Sequence, residues 1–221
     1  MYEPGVPPMN LGESLDGVDL DSNLTNTDKL GMVYTFPANT LTGGPNRQKS
    51  VKTGRAITAV LLRNTSGAAL LPKRLGQLDR TAGYAMTKNV DGYSTTLANQ
   101  GVVVIDPFLP AAGVASNDIF WGIISGPAAV LVPIAGADFN GDIALNAPLV
   151  SSTGTTTGAT TSGRVSNVTV TAATAGNTLN GYDGFKMAYA VLGRAMSART
   201  TGETTAGTDI LVDWAIGLFG R

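Results

Sequence analysis

The sequence predicts an all-β fold, and three observations predict it. Its apolar runs are short and rich in Val, Ile, Phe and Trp. Gly, Pro, Thr and Asn gather between those runs. The runs are too short, and too often broken by Gly, to favour helices. Many short strands joined by such turns build an antiparallel sandwich or a small barrel. No repeat with a period of about 20–50 residues is visible.

Residues 1–53 are expected to form an extended N-terminal arm, and residues 54–221 a compact β-rich body. Pro4, Pro7 and Pro8 disfavour regular structure near the start. Glu3, Glu13, Asp16, Asp19, Asp21 and Asp28 make the arm acidic. Its apolar residues, Met9, Leu11, Leu15, Val18, Leu20 and Leu24, are too sparse to fold alone. Two readings stand: a solvated tail, or an arm that orders along a partner surface. The charge then changes sign, with Arg47, Lys49, Lys52, Arg55, Arg63, Lys73, Arg74, Arg80 and Lys88 in succession. Acidic arm and basic edge would attract each other, within one chain or between copies. The alternative is scattered solubilising charge.

The body reads as β from Ala56. The run Ala56–Leu62, the polar turn RNTSG and the following AALLP predict one hairpin. Gly101–Asp106, GVVVID, is β-branched and stops at Pro107. Asp118–Ile124 and Ala128–Val132 flank Ser125-Gly126-Pro127, and Gly-Pro signals a turn, so a second hairpin is expected there. Asp142–Val150 contains Pro148 and is expected to be an edge or broken strand. Ser151–Arg164 is low in complexity and reads as a loop or an exposed strand pair. Val165–Ala172 alternates Val with polar residues, as a half-buried strand does. Gly176–Gly184 reads as loop, and Met187–Met196 and Asp209–Phe219 close the chain; periodicity alone allows helix in either, but short length and frequent Gly favour strands.

The chain carries little chemical equipment. Among its 221 residues there is no His and no Cys, the net charge is -1 and 14% of residues are charged. These numbers remove the usual general base, the thiol nucleophile and thiolate metal sites. Near-neutral charge argues against a nucleic-acid binder. No apolar run approaches the roughly 20 residues of a membrane span, and MYEPGVPPMN lacks the pattern of a signal peptide. Gly43–Ser50 fails as a phosphate loop, because Gln48 rather than Gly precedes Lys49. Asp138–Asp142 opens like a calcium loop, yet Ile143 and Leu149 stand where Gly and Glu are needed. Asp106, Asp118, Asp209 and Asp213 border apolar runs and are expected to cap turns. Ser116, Ser125 and Ser197 have no His to activate them. Trp121 and Trp214 are expected to be core or subunit-interface anchors rather than ligand platforms. No catalytic residue, metal or cofactor is expected.

Three stretches carry a resemblance. GRAITAVLLRNTSGAALLPKRL, DPFLPAAGVASNDIFWGIISGPAAVLVP and GRAMSARTTGETTAGTDILVDW lie between about Gly54 and Trp214. They resemble the capsid decoration, or cement, proteins of tailed bacteriophages, whose fold is like that of the lambda head-stabilising protein. The resemblance implies a β-tulip-like body that binds the major capsid protein as a homotrimer on the outer surface of the virion, after synthesis in the host cytoplasm. It implies no enzyme activity, and no contact with nucleic acid or membrane. On that reading the arm contacts the capsid or a neighbouring copy, through Tyr2, Pro7, Pro8, Met9, Leu11, Arg47, Lys49 and Lys52. The competing expectation is a head fibre or surface adhesin that grips glycans.

Overall fold

A computed structural model describes residues 7–17, 29–38, 55–79, 88–94, 101–132, 142–151, 163–167, 191–199 and 209–215. Among them the structure is all-β, with no α-helix. Ten strands follow in order: β1 Val33–Phe36, β2 Ile57–Asn64, β3 Leu75–Leu78, β4 Asn89–Tyr93 and β5 Val102–Ile105, then β6 Ile119–Leu131, β7 Pro148–Ser151, β8 Val165–Asn167, β9 Gly193–Ala195 and β10 Asp209–Ala215.

The strands form one sheet in the order β1-β2-β4-β3-β5-β6-β10-β9-β7-β8, with β2 also paired to β6. That extra pairing returns the sheet upon itself through β2, β4, β3, β5 and β6. The β2–β4 contact is parallel and holds only Arg63↔Asn89 and Asn64↔Val90, so the ring is partial rather than a full barrel. Leu61, Leu62, Leu75, Val103, Ile105, Ile119 and Phe120 are buried in the core of the fold.

β6 overturns the hairpin expected at Ser125-Gly126-Pro127. It is a single strand of 13 residues that runs through all three. Residues Ile119–Ile123 and Ser125 pair with β2, while Ser125–Leu131 pair with β10. The register against β2 shifts between Thr58 and Ala59. Gly126 has φ +90°, and a Cβ there would sit 2.2 Å from the Ala56 carbonyl oxygen. The Gly-Pro pair therefore serves an irregularity and a close approach, not a chain reversal.

The first hairpin is also not formed. β2 lies between β1 on one side and β6 and β4 elsewhere along its length. The segment after the RNTSG turn instead bridges Leu70 to Val114. Asn64 explains why. Its buried Nδ2 donates to the carbonyls of Ala68, Val114 and Ala115 at 2.7, 2.9 and 3.0 Å. Its Oδ1 accepts from the backbone N–H and the hydroxyl of Ser66. One side chain thus ties the turn to a loop about fifty positions further on.

Other elements match the sequence more closely. GVVVID supplies β5, with Val102–Ile105 all buried. Asp209–Ala215 and Gly193–Ala195 are strands, as expected of the closing segments. Pro148 opens β7, where its missing N–H is tolerated. β7 is nevertheless an inner strand, between β9 and β8. Residues 152–162, 168–184, 187–190 and 216–219 lie outside the described residues, and with them parts of the expectations for those segments.

Candidate functional site

Among the described residues, one polar arrangement joins the N-terminal segment to the body. Residues 7–17 and 29–38 fall within the expected arm, yet they are built into the fold. Met9 and Leu11 are buried, at 4% and 0% exposure, and so are Leu30 and Phe36. β1, inside the expected arm, pairs antiparallel with β2 from Val33↔Val60 to Phe36↔Ile57. The physical reason is that sparse apolar residues need not fold alone. Here the body supplies the other half of each contact.

Three attachments hold the first segment. The indole Nε1 of Trp121 donates to the Met9 carbonyl at 3.1 Å. The Gly12 N–H donates to Asp106 Oδ2 at 2.5 Å. Leu15 and Ile119 exchange backbone bonds of 3.0 and 2.8 Å. A Cβ at Gly17 would lie 1.9 Å from the Asn117 carbonyl oxygen, so the chain passes there only as glycine. We refer to this arrangement as the clasp.

Asp106 is the polar centre of the clasp. It is fully buried where β5 ends, and its Oδ1 also accepts from the Phe108 N–H at 2.9 Å. Burial pushes its pKa up from 3.8 to about 7, against the opposing pull of the bonds from Gly12 and Phe108. The expected turn cap is therefore present, with a second duty added. One oxygen caps the local turn and the other fastens a residue 94 positions away. An Asp before Pro signals the first duty in the sequence. Nothing local signals the second.

Trp121 is enclosed by aromatics from β1. Phe36 meets it edge-on at 5.3 Å between ring centroids, and Tyr34 lies at 6.4 Å. Tyr34 and Phe36 are themselves edge-to-face at 4.9 Å. Trp214 is buried on β10, and its Nε1 donates to the Ala128 carbonyl at 3.1 Å. Of the two roles expected for these tryptophans, both are core anchors of the single chain.

The remaining candidates are dispersed. Pro7 and Pro8 are half-buried beside Met9. Tyr2, Arg47, Lys49 and Lys52 lie outside the described residues. Met9 and Leu11 face their own core, which withdraws their side chains from a partner surface. Asp213 pairs with Arg55, and both are partly exposed. Asp16 lies close enough to Asp118 to help burial raise the Asp118 pKa. Two like charges thus lie near each other where the segment crosses the body. Of the strand-bordering carboxylates, Asp106 is sealed in the clasp and Asp213 is engaged by Arg55.

The fold defines a class: an all-β protein organised around one long shared strand. Searches against protein-family models, curated proteins and solved structures found no match to this chain.

Proposed function

We propose that the chain is a structural virion protein: a capsid decoration protein that binds the outer surface of a phage head as a homotrimer and stabilises the shell. One observation carries the reading. The three stretches that resemble decoration proteins supply β2, β6 and the β9–β10 pair, and these are consecutive partners in the sheet. The resemblance thus falls on a contiguous scaffold rather than on scattered loops. A cement protein that binds adjoining capsomers only in the intact shell stabilises the shell by its binding free energy. The major capsid protein is the partner on this reading, and the site of action is the outer capsid surface. The adhesin alternative gains nothing from Trp121 and Trp214, whose rings are buried.

The test is co-sedimentation of the purified chain with expanded empty heads assembled from the major capsid protein of the same phage. Saturable binding at a fixed ratio to capsomers, with a rise in the temperature of head disruption, is the expected result. Heads that sediment bare at micromolar protein would remove the proposal. Binding to a glycan array in place of heads would transfer it to the adhesin reading.

A further inference from the structure

β1 forms one edge of the sheet, where it pairs with β2 alone. The Leu61 N–H donates to the Met32 carbonyl at 2.9 Å, and the Arg63 N–H donates to the Lys88 carbonyl on the same side of β2. Bonded and non-bonded pairs alternate along antiparallel strands. Tyr34 and Phe36 therefore turn their backbone groups toward Ala59 and Ile57. Val33 and Thr35 turn theirs away from β2. Among the described residues, nothing bonds the two N–H and two C=O groups on that outer side.

The open edge has definite ends. The Met32 N–H bonds the Lys29 carbonyl and the Gly31 N–H takes the Leu61 carbonyl, so the ladder is irregular before Val33. Beyond Phe36, Pro37 has no N–H to offer. Val33 is 46% exposed, and Thr35 is exposed beside it on the same face. VYTF holds no charged residue, although charges commonly guard natural sheet edges against pairing. The opposite edge of the sheet differs, since Val165 of β8 is 0% exposed.

Two open residues, two positions apart, are complementary to themselves. An antiparallel second copy, turned about a two-fold axis at Tyr34, sets each Val33 opposite the other copy's Thr35. Each such pair exchanges two backbone bonds, so four bonds engage every outward group of both edges. A shift in one direction would set Thr35 against Gly31, whose N–H is already used. A shift in the other would set Val33 against Pro37, which has none. One register thus satisfies the edge.

We propose that β1 is an interface between copies of this chain, in which the Val33 and Thr35 edge pairs antiparallel with the same edge of a second copy about a two-fold axis. The pairing continues the sheet from one chain into the next. It is separate from the capsid trimer proposed above, because a three-fold ring joins two different surfaces and this contact joins one surface to itself. Four backbone bonds make a small contact, which belongs with weak associations.

Sedimentation velocity of the full chain from about 10 micromolar to about 1 millimolar, a range suited to a weak contact, tests this. The mass should double with concentration from the species present at the dilute end. Thr35→Pro removes two of the four bonds and should raise the half-association concentration about tenfold. Val33→Lys, which places a charge on the edge, should raise it several-fold. Register is read by crosslinking. The chain has no Cys, so Val33→Cys and Thr35→Cys each carry a single thiol. Mixed in equal amounts under mild oxidation, the two variants should join to each other more than to themselves. Opposed positions lie about 5.5 Å apart, within disulfide reach, whereas like positions lie about 7–8 Å apart. A constant mass across the range overturns the proposal and leaves the edge to a strand of another protein. A doubling that Thr35→Pro leaves unchanged overturns it, with Val33→Lys standing in if the proline variant does not fold. A mixed crosslink no more abundant than random pairing gives overturns it too. Binding to heads is read separately by co-sedimentation, so either proposal can fail alone.

Discussion

Trp121 holds Met9 by its polar edge: the indole N–H bonds the Met9 carbonyl at 3.1 Å, across 112 positions of sequence. The same indole packs against Phe36 of β1. One buried side chain thereby joins two separate parts of the N-terminal region to the start of β6. The region is part of what makes the body stable, and the first predictions follow from that.

Removal of residues 1–45 takes away Met9, Leu11, Leu30 and Phe36 from the core and the whole of β1 from the sheet. The truncated chain should melt far below the full one or fail to stay soluble. Leu11→Ala, a milder change at a site of 0% exposure, should cost about 2–5 kcal/mol in denaturant unfolding. A truncated body with an unchanged midpoint would mean that the clasp contributes nothing.

Asp106 predicts a pH dependence of definite sign. Its native pKa is raised from 3.8 to about 7 by burial. Between those values the native state holds the proton more tightly than the unfolded chain does. Its contribution is therefore complete below about pH 4 and is lost as pH rises through about 7. The limiting size is roughly 4 kcal/mol. Urea unfolding of wild type and Asp106→Asn from pH 4 to 8 isolates this contribution by difference. The wild type should lose stability relative to the variant as pH rises, and a gain would refute the assignment.

Asn64 should be intolerant of its nearest isostere. Asn64→Asp replaces a donor to three carbonyls with an oxygen that repels them. A loss of about 2–5 kcal/mol is expected, from broken bonds and a buried charge together. Protease sensitivity near Ala68 should rise as the turn comes loose. A loss below about 1 kcal/mol would show that the network is dispensable.

Gly126→Ala tests the continuity of β6. The new methyl meets the Ala56 carbonyl oxygen at 2.2 Å, on a backbone with φ +90°. Strain and overlap should cost about 2–4 kcal/mol. At a free hairpin turn the overlap would be absent and only the strain of a positive φ, about 1–2 kcal/mol, would remain. A small effect in thermal melting would therefore favour the turn over the strand.

The sequence by itself determined the fold class and several of its strands. Val102–Ile105 is β-branched and bounded by Gly101 and Pro107, so local preference and burial agree there. Tertiary structure decided what lies between the strands and what joins distant ones. Ser125-Gly126-Pro127 suits a turn and a strand irregularity equally, because both need the same backbone freedom. The pairing of β6 with β2 and then β10 selects the second. Met9 and Leu11 look too isolated to fold, because composition counts only the apolar surface a segment carries and not the surface waiting for it. Asp106 reads as a local cap because its second partner, Gly12, is reached only through space. Arg164 gives no signal in sequence at all. Its charge becomes unusual only when folding buries it beside Arg74 and Arg199, where desolvation and like charge act together.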